Sequence, residues 1–179
     1  MKTKRIVITG GPGTGKSSVI NALTERGFTC LEEISREVTL EAKKQGIDQL
    51  FLTEPLRFSE ALLQGRLQQY HQAHNLSTDT VFFDRGIPDI VAYMDFAKLN
   101  YPEDFTKACH NHPYDAVFIL KPWKAIYKTD NERYENFEDA MIIHKHLVNT
   151  YQSYNYQLID VPFDTVEKRT DYILNIIHI

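Results

Sequence analysis

Cysteine is scarce in this chain of 179 residues, which contains only Cys30 and Cys109. The two are far apart and neither belongs to a C-x-x-C pair, so the sequence excludes a disulfide-bonded scaffold and favours a reducing compartment. Long hydrophobic runs are missing as well. No apolar run is longer than that of residues 116–120, whereas a membrane-spanning helix needs about 18 apolar residues. We therefore expect a soluble, cytoplasmic protein without a transmembrane segment.

A strong excess of one charge is also lacking. Lysine and arginine total 20 and aspartate and glutamate total 24, which gives a formal net charge of −4. A charge of this sign does not attract nucleic acid, so we expect no nucleic-acid partner. The composition, 42% hydrophobic and 25% charged, is that of a globular protein, and the length favours a single domain over residues 1–179. The sequence leaves the oligomeric state open.

Short apolar runs of strand length alternate with longer segments of helical periodicity. Such runs, rich in β-branched and aromatic residues, are typical of strands buried on both faces of a parallel sheet. The predicted strands are Ile6–Ile8, Phe28–Leu31, Val81–Phe83, Ala116–Leu120 and Leu158–Val161. The predicted helices cover residues 16–26, 34–45, 55–74, 88–98, 136–153 and 164–177. The alternation indicates an α/β fold with right-handed crossovers.

One segment, residues 121–136, breaks this alternation. It follows a predicted strand directly, is rich in basic residues and has no clear apolar period. Because regular structure resumes on both sides, the segment is predicted to be a long loop rather than a linker. Arg133 is the only arginine of the segment. It is a candidate lid residue that would close over a bound anion; the alternative is a solvated charge run.

A glycine-rich segment joins the first predicted strand to the first predicted helix. Its sequence, Gly-Gly-Pro-Gly-Thr-Gly-Lys-Ser at residues 10–17, matches the G-x-x-x-x-G-K-[ST] pattern of a P-loop. The strand before it and the helix after it are the context that this mode of phosphate binding needs. The candidate nucleotide-binding residues are Gly10, Gly11, Pro12, Gly13, Thr14, Gly15, Lys16, Ser17 and Ser18.

The chemistry of phosphate binding explains these residue types. Glycine lets backbone N–H groups turn towards a phosphate without a Cβ atom in the way, and the helix N-terminus adds the positive end of its dipole. Lys16 supplies a cation for the β- and γ-phosphates, and the Ser17 hydroxyl is a candidate Mg²⁺ ligand. We therefore predict a site for a nucleoside triphosphate with Mg²⁺. The N-K-x-D segment that usually selects guanine does not occur, which favours ATP over GTP.

The third predicted strand is followed by Asp84, Arg85 and Gly86. Asp84 is placed to hold Mg²⁺ directly or through water, which makes it the second candidate metal ligand. Hydrolytic ATPases commonly carry a glutamate at the next position to polarise the attacking water, a task that Arg85 is unable to perform. A planar, permanently charged guanidinium suits a phosphate or a phosphate acceptor instead. The alternative is a helix-capping Asp84 followed by a surface arginine.

Carboxylates also follow the second predicted strand, at Glu32 and Glu33. Because the carboxyl ends of parallel strands meet at one edge of a sheet, these side chains should lie on the same edge as the P-loop. Glu33 is the candidate that accepts a proton from a substrate hydroxyl as it attacks the γ-phosphate. Alternatively, Glu32, Glu33 and Glu37 only favour the start of the next helix electrostatically.

Two further regions are candidates for substrate contacts. Pro162 and Phe163 follow the last predicted strand and are placed to wall the adenine, although core packing is the commoner role of a phenylalanine. Contacts with the phosphoryl acceptor are expected within residues 58–70, which contain Gln64, Arg66 and Gln68.

Together these motifs resemble a P-loop kinase of the nucleoside- and nucleotide-kinase group. The chain is most similar to the AAA-like family that includes the ribosylnicotinamide kinase domain of bacterial NAD-metabolism regulators and an animal GTP- and phosphoinositide-binding protein. The resemblance runs from the P-loop through residues 33–37 and 83–86 to the basic stretch that ends at Arg133. It implies a three-layer fold in which five parallel strands follow the kinase-like order 2-3-1-4-5, with a lid loop at residues 121–136.

The resemblance also implies an activity, namely Mg-ATP-dependent phosphoryl transfer to a small nucleoside- or nucleotide-like acceptor. Lys16 and Ser17 would hold the triphosphate and the metal, Asp84 would support Mg²⁺ or the acceptor, and Arg85 and Arg133 would face phosphates. The alternative is a nucleotide-dependent binding or switch module with weak hydrolysis, whose bound ATP or GTP orders the lid for a lipid or protein partner. Arg85 argues against a third class, an ATPase without a separate acceptor.

The lid hypothesis predicts a specific effect of the substitution Arg133→Ala. A lid arginine stabilises the charge on the transferring phosphoryl group, so its loss should lower kcat and leave the affinity for ATP nearly unchanged. Steady-state kinetics together with a nucleotide-binding titration separates the two quantities. An unchanged kcat would remove Arg133 from the mechanism.

Overall fold

The structure, a computed structural model, describes residues 3–127 and 136–178. The strands are β1 (Lys4–Gly10), β2 (Thr29–Leu31), β3 (Thr80–Asp84), β4 (Ala116–Leu120) and β5 (Leu158–Val161). All five are parallel and form one sheet in the order β2-β3-β1-β4-β5, so the strand that leads into the P-loop lies at the centre. The predicted α/β class, the five strands and their order are confirmed.

Helices lie between and beside these strands. They are α1 (Lys16–Glu25), α2 (Ile34–Lys44), α3 (Leu50–Thr53), α4 (Pro55–Gln72), α5 (Ile87–Phe96), α6 (Asp104–Asn111), α7 (Phe137–Ser153) and α8 (Val166–Ile176). A 3₁₀ turn, Ala73–Asn75, extends α4. All six predicted helices are present, and each of their ends lies within two residues of the prediction.

Two short helices, α3 and α6, are missing from the prediction. Helix α3 has only four residues, too few to show a period. Helix α6 buries Phe105, Ala108 and Cys109, whose spacing is helical, but its eight residues contain only one such set. Both helices lie in connections between predicted elements, so the order of the sheet is unaffected.

Apolar residues cover both faces of the sheet, because alternate residues of a strand point to opposite sides. Val7 and Phe83 pack on one face with α4, α5, α6 and α7. Ile8 and Phe82 pack on the other face with α1 and α8. These four strand residues are at most 1% exposed. The apolar runs of the sequence therefore reflect a sheet covered by helices on both sides.

The register of the sheet brings the carboxyl ends of three strands together. Ile8 of β1 pairs with Asp84 at the end of β3, and the P-loop begins two residues further along β1. On the other side of β3, Leu31 ends β2 beside Phe83, and Glu33 follows two residues later. The P-loop, Asp84 and Glu33 therefore meet at one edge of the sheet, as predicted for parallel strands.

The structure describes part of the predicted lid, residues 121–136. Residues 121–127 and 136 are described, whereas Arg133 lies outside the described residues. Within the described ranges, no helix has both the length and the apolar character that a membrane crossing requires.

Candidate functional site

The P-loop is a tight turn between β1 and α1. Two of its glycines, Gly13 and Gly15, have φ values of 71° and 77°, a backbone conformation that side chains rarely tolerate. Space is also short there, because a Cβ atom would lie 2.1 Å from the Tyr127 ring at Gly13 and 2.8 Å from the Arg169 guanidinium at Gly15. These two glycines are therefore required both by the local backbone and by its neighbours.

Lys16 begins helix α1, and its ammonium group forms an ion pair with the Asp84 carboxylate. Both side chains are only 8% exposed. Burial lowers the pKa of Lys16 and the positive charge of Arg85 lowers it further, while the carboxylates of Asp84 and Glu33 act in the opposite direction. The two charged groups that the sequence assigned to the triphosphate and the metal are thus in direct contact.

The residues proposed to hold Mg²⁺ fit that ion chemically. Ser17, in the first turn of α1, is exposed and offers a hydroxyl, and Asp84 offers a carboxylate on the adjacent strand. Hard oxygen donors of this kind suit Mg²⁺, which usually takes only one or two protein carboxylates and completes its shell with water and phosphate oxygens. Ser18, the last candidate nucleotide-binding residue, is also exposed in the first turn of α1.

Glu33 is held by two arginines. Its carboxylate forms ion pairs with the guanidinium of Arg85 and, at 3.1 Å, with that of Arg66. Burial raises the pKa of Glu33, but the positive charges of Arg85, Arg66 and Lys16 outweigh this effect and lower the pKa to about 2. Glu33 is also the N-cap of α2, where its side chain accepts a bond from the Ser35 amide at 3.5 Å. Glu33 therefore caps α2 and at the same time belongs to the charge cluster.

Arg85 is a partly buried, paired residue rather than a surface arginine, and the alternative of a surface Arg85 is wrong. Its side chain is 15% exposed and lies between the carboxylates of Glu33 and Asp89. The guanidinium carbon also lies 5.1 Å from the centre of the Tyr93 ring. The backbone of Arg85 has a φ of 72°, a strained conformation for a residue with a side chain, and such strain is concentrated at functional sites.

Of the polar residues expected within residues 58–70, only Arg66 reaches this cluster. Its side chain is 4% exposed and donates to Glu33 and to the carbonyl oxygen of Gly86. Gln64 and Gln68 are exposed. Sequence reasoning does not separate these three residues, because helix α4 has a weak apolar stripe and all three lie within two turns.

Asp89, in the first turn of α5, is a member of the cluster that sequence reasoning missed. It is 1% exposed and bonds to Thr9, Arg85, Gly86 and Tyr151. The only signal in the sequence is a polar residue inside the otherwise apolar run Ile87–Met94.

A cavity of about 560 Å³ lies beside the P-loop. It is lined by Gly13, Gly15, Trp123, Ile126 and Arg169, among others. The Trp123 ring stacks on Phe163, with 5.2 Å between ring centres. Phe163 itself is 51% exposed, so core packing is the wrong explanation for it.

Arg169, from helix α8, is a second residue that the sequence did not single out. It is 1% exposed and donates to the carbonyl oxygen of Thr14 in the P-loop at 2.9 Å. Its guanidinium carbon lies 5.9 Å from the centre of the Trp123 ring. No carboxylate of the described residues forms an ion pair with it, and its Nε atom has no hydrogen-bond partner. A buried cation next to an aromatic cavity, without an ion-pair partner among the described residues, favours an electron-rich ligand.

The order of the sheet and the P-loop define the class: this is a protein with a P-loop α/β fold. A family model described as an AAA domain matches residues 5–169, and the chain belongs to that family. No curated protein matches the sequence significantly.

Solved kinase structures share the fold. A deoxyadenosine kinase from M. mycoides, with its products dCMP and dCDP bound, superposes with a TM-score of 0.74 at 18% identity, over 97% of this chain and 98% of that chain. NadR protein in complex with NR superposes with a TM-score of 0.72 at 16% identity, over 98% of this chain and 50% of that chain. Thymidylate kinase from Candida albicans superposes with a TM-score of 0.71 at 16% identity, over 99% of this chain and 92% of that chain.

The low pKa of Glu33 predicts how stability depends on pH. A carboxylate whose pKa falls from 4.5 to about 2 on folding stabilises the folded state above pH 4.5, and this contribution is lost as the pH falls towards 2. The difference in unfolding free energy between the native chain and Glu33→Gln should therefore be constant down to about pH 5 and narrow below it. Urea unfolding at a series of pH values measures this difference.

Glu37→Gln is the matched control, because it removes an exposed carboxylate from the same helix. The pH dependence of the unfolding free energy that Glu37→Gln shows is subtracted from that of Glu33→Gln. A Glu33 difference that stayed constant between about pH 7 and pH 3 would contradict the pairing of Glu33 with the two arginines.

Proposed function

We propose that the protein is a kinase that transfers the terminal phosphoryl group of Mg-ATP to a hydroxyl or phosphate of a small, nucleoside-like acceptor. The observation that carries the proposal is the position of Glu33, which is fixed by Arg66 and Arg85 beside the Lys16–Asp84 pair. An acceptor-orienting carboxylate and a phosphate-binding lysine thus belong to one buried cluster.

The P-loop supports the triphosphate part of the proposal. The amides at the start of α1 and the Lys16 ammonium group are the groups that bind β- and γ-phosphates in P-loop proteins. Ser17 and Asp84 would hold Mg²⁺, which supplies charge neutralisation between the phosphates when bound. Lys16 would then exchange the Asp84 carboxylate for phosphate oxygens, which carry more charge.

The state of Glu33 supports transfer to a hydroxyl. A carboxylate with a pKa of about 2 is ionised at neutral pH but takes up a proton weakly. It therefore acts mainly as a hydrogen-bond acceptor that orients the attacking hydroxyl. Phosphoryl transfer through a loose transition state asks for orientation and charge stabilisation more than for a strong base. Arg85 and Arg66 would keep this acceptor in place and offer positive charge to the phosphates.

The cavity beside the P-loop supports a base-binding site. Trp123, stacked on Phe163, and the Arg169 guanidinium present flat surfaces suited to a purine ring. Pro162 precedes Phe163 in the same loop and is exposed. We infer that adenine binds here, which adds Trp123 and Arg169 to the residues expected from sequence. This assignment keeps the nucleotide on one side of the P-loop and the acceptor, next to Glu33, on the other.

The kinase folds found in the structural comparison support the acceptor class. The matching structures are a deoxyadenosine kinase, NadR bound to NR and a thymidylate kinase, all of which handle nucleosides or nucleotides. A nucleoside presents both a hydroxyl to attack the γ-phosphate and a base to be recognised. We further propose that the chain acts in the cytoplasm as a single domain.

An acceptor screen tests the proposal. The protein is incubated with Mg-ATP and a panel of ribonucleosides, deoxyribonucleosides, ribosylnicotinamide and nucleoside monophosphates, and ADP is measured. We expect ADP release that depends on one class of acceptor. In Glu33→Gln, kcat for that acceptor should fall by about 100-fold while the affinity for ATP is retained; Glu37→Gln, on the same helix, is the control.

Trp123 is the only tryptophan of the chain, so its fluorescence reports nucleotide binding in the same samples. Quenching by Mg-ATP without acceptor-dependent ADP release would replace the kinase by a nucleotide-dependent binding module. ADP release at the same rate with every acceptor and with none would indicate an ATPase. Either result would overturn the proposal.

A further inference from the structure

The Asp89 carboxylate receives hydrogen bonds from four donors on three segments of the chain outside its own helix. Oδ1 accepts from the Thr9 hydroxyl and, at 3.3 Å, from the Arg85 guanidinium. Oδ2 accepts from the Gly86 amide at 2.9 Å and from the Tyr151 hydroxyl at 2.6 Å. Asp89 therefore joins the end of β1, the turn after β3, helix α5 and helix α7.

Both oxygens of Asp89 are needed in this arrangement. Each oxygen serves one hydroxyl, which can rotate and become an acceptor, and one N–H group, which can only donate. An amide in place of the carboxylate would therefore turn its NH₂ group towards either the Arg85 guanidinium or the Gly86 amide. One of these two fixed donors would lose its acceptor. A buried N–H group without a hydrogen-bond acceptor destabilises the folded protein.

The same contacts determine where the Arg85 guanidinium lies. Its Nε atom bonds to Glu33 and its NH1 atom to Asp89, so the group is held from two sides. The Gly86 amide that bonds to Asp89 belongs to the residue directly after Arg85, whose backbone has a φ of 72°. Asp89 thus bonds both to the guanidinium group of Arg85 and to the strained turn that contains Arg85.

We infer that Asp89 is a positioning residue, which directs the Arg85 guanidinium towards Glu33 and the transferring phosphoryl group. The inference rests on the proposed kinase function. Asp89 is too deeply buried, at 1% exposure, to be assigned a contact with substrate itself, and it acts through Arg85. When the Glu33 carboxylate accepts a bond from the acceptor hydroxyl, Asp89 remains as the second anchor of Arg85.

Asp89→Asn tests this inference, since it keeps the shape and removes one acceptor. We expect kcat to fall by about 100-fold with little change in the KM for ATP, because a misplaced charged group costs mainly transition-state stabilisation. Phe105→Leu, a core substitution in α6 without any polar group, is the control for lost stability. It should destabilise the fold and leave kcat nearly unchanged.

A double-mutant cycle with Arg85→Lys separates positioning from general structural damage. If Asp89 acts through Arg85, then Asp89→Asn should reduce kcat less than about twofold in the Arg85→Lys background. An equal fold loss in both backgrounds would overturn the inference.

A measurement without turnover keeps the inference testable if the wild-type chain shows no kinase activity. In a protein labelled with ¹⁵N at arginine Nε, the Arg85 resonance is the one lost in Arg85→Lys. It should be sharp in the wild type and broadened or shifted in Asp89→Asn. An unchanged Arg85 resonance would overturn the positioning role, whereas absent turnover alone would overturn only the proposed function.

Discussion

The buried contact between the Lys16 ammonium group and the Asp84 carboxylate is the interaction on which the rest of the site depends. Around it lie Arg66, Arg85, Glu33 and Asp89, so that three cations face three carboxylates, none more than 16% exposed. Taking each such charge out of water costs several kcal/mol, and well-packed apolar residues would often stabilise the fold as much or more. A cluster of this size at the edge of a sheet therefore points to function, where pKa values and charge positions matter more than stability.

Parallel strands explain how residues from distant parts of the chain reach this cluster. Strand β1 carries the P-loop, β3 carries Asp84 and Arg85, and β2 leads to Glu33, and all three strands end at the same edge. The helices that follow add Arg66 from α4 and Asp89 from α5. In the proposed reaction, the nucleotide binds over the P-loop towards Trp123, and the acceptor binds on the side of Glu33. The sheet thus holds both sites in fixed positions at one edge. In the proposed reaction, the phosphoryl group would pass from the nucleotide over the P-loop to the acceptor beside Glu33.

Much of this could be predicted from the sequence, because the relevant signals are local. The P-loop is a contiguous motif, the strands are short apolar runs, and the rule that parallel strands end at one edge places Asp84 and Glu33 beside the P-loop. Asp89 and Arg169 escaped prediction because their roles arise from contacts with Tyr151 and Thr14, 62 and 155 residues away. A single polar residue in a helix is usually on the surface, and only the packing of α5 and α8 against the sheet shows that these two are buried. The exposed position of Phe163 was missed for the same reason, since burial depends on what packs over the loop.

In the proposed function, Lys16 leaves Asp84 to bind the phosphates of Mg-ATP. Calorimetric titration of Mg-ATP into the folded wild-type chain and into Lys16→Met tests it directly, with Lys107→Met, an exposed lysine of α6, as the control. The account predicts measurable binding to the wild type and to the control, and binding to Lys16→Met that is weaker by about 10- to 100-fold, the loss expected for a hydrogen-bonded charge. Equal affinity of Lys16→Met and the wild type, or no heat of binding with the folded wild type, would contradict the account.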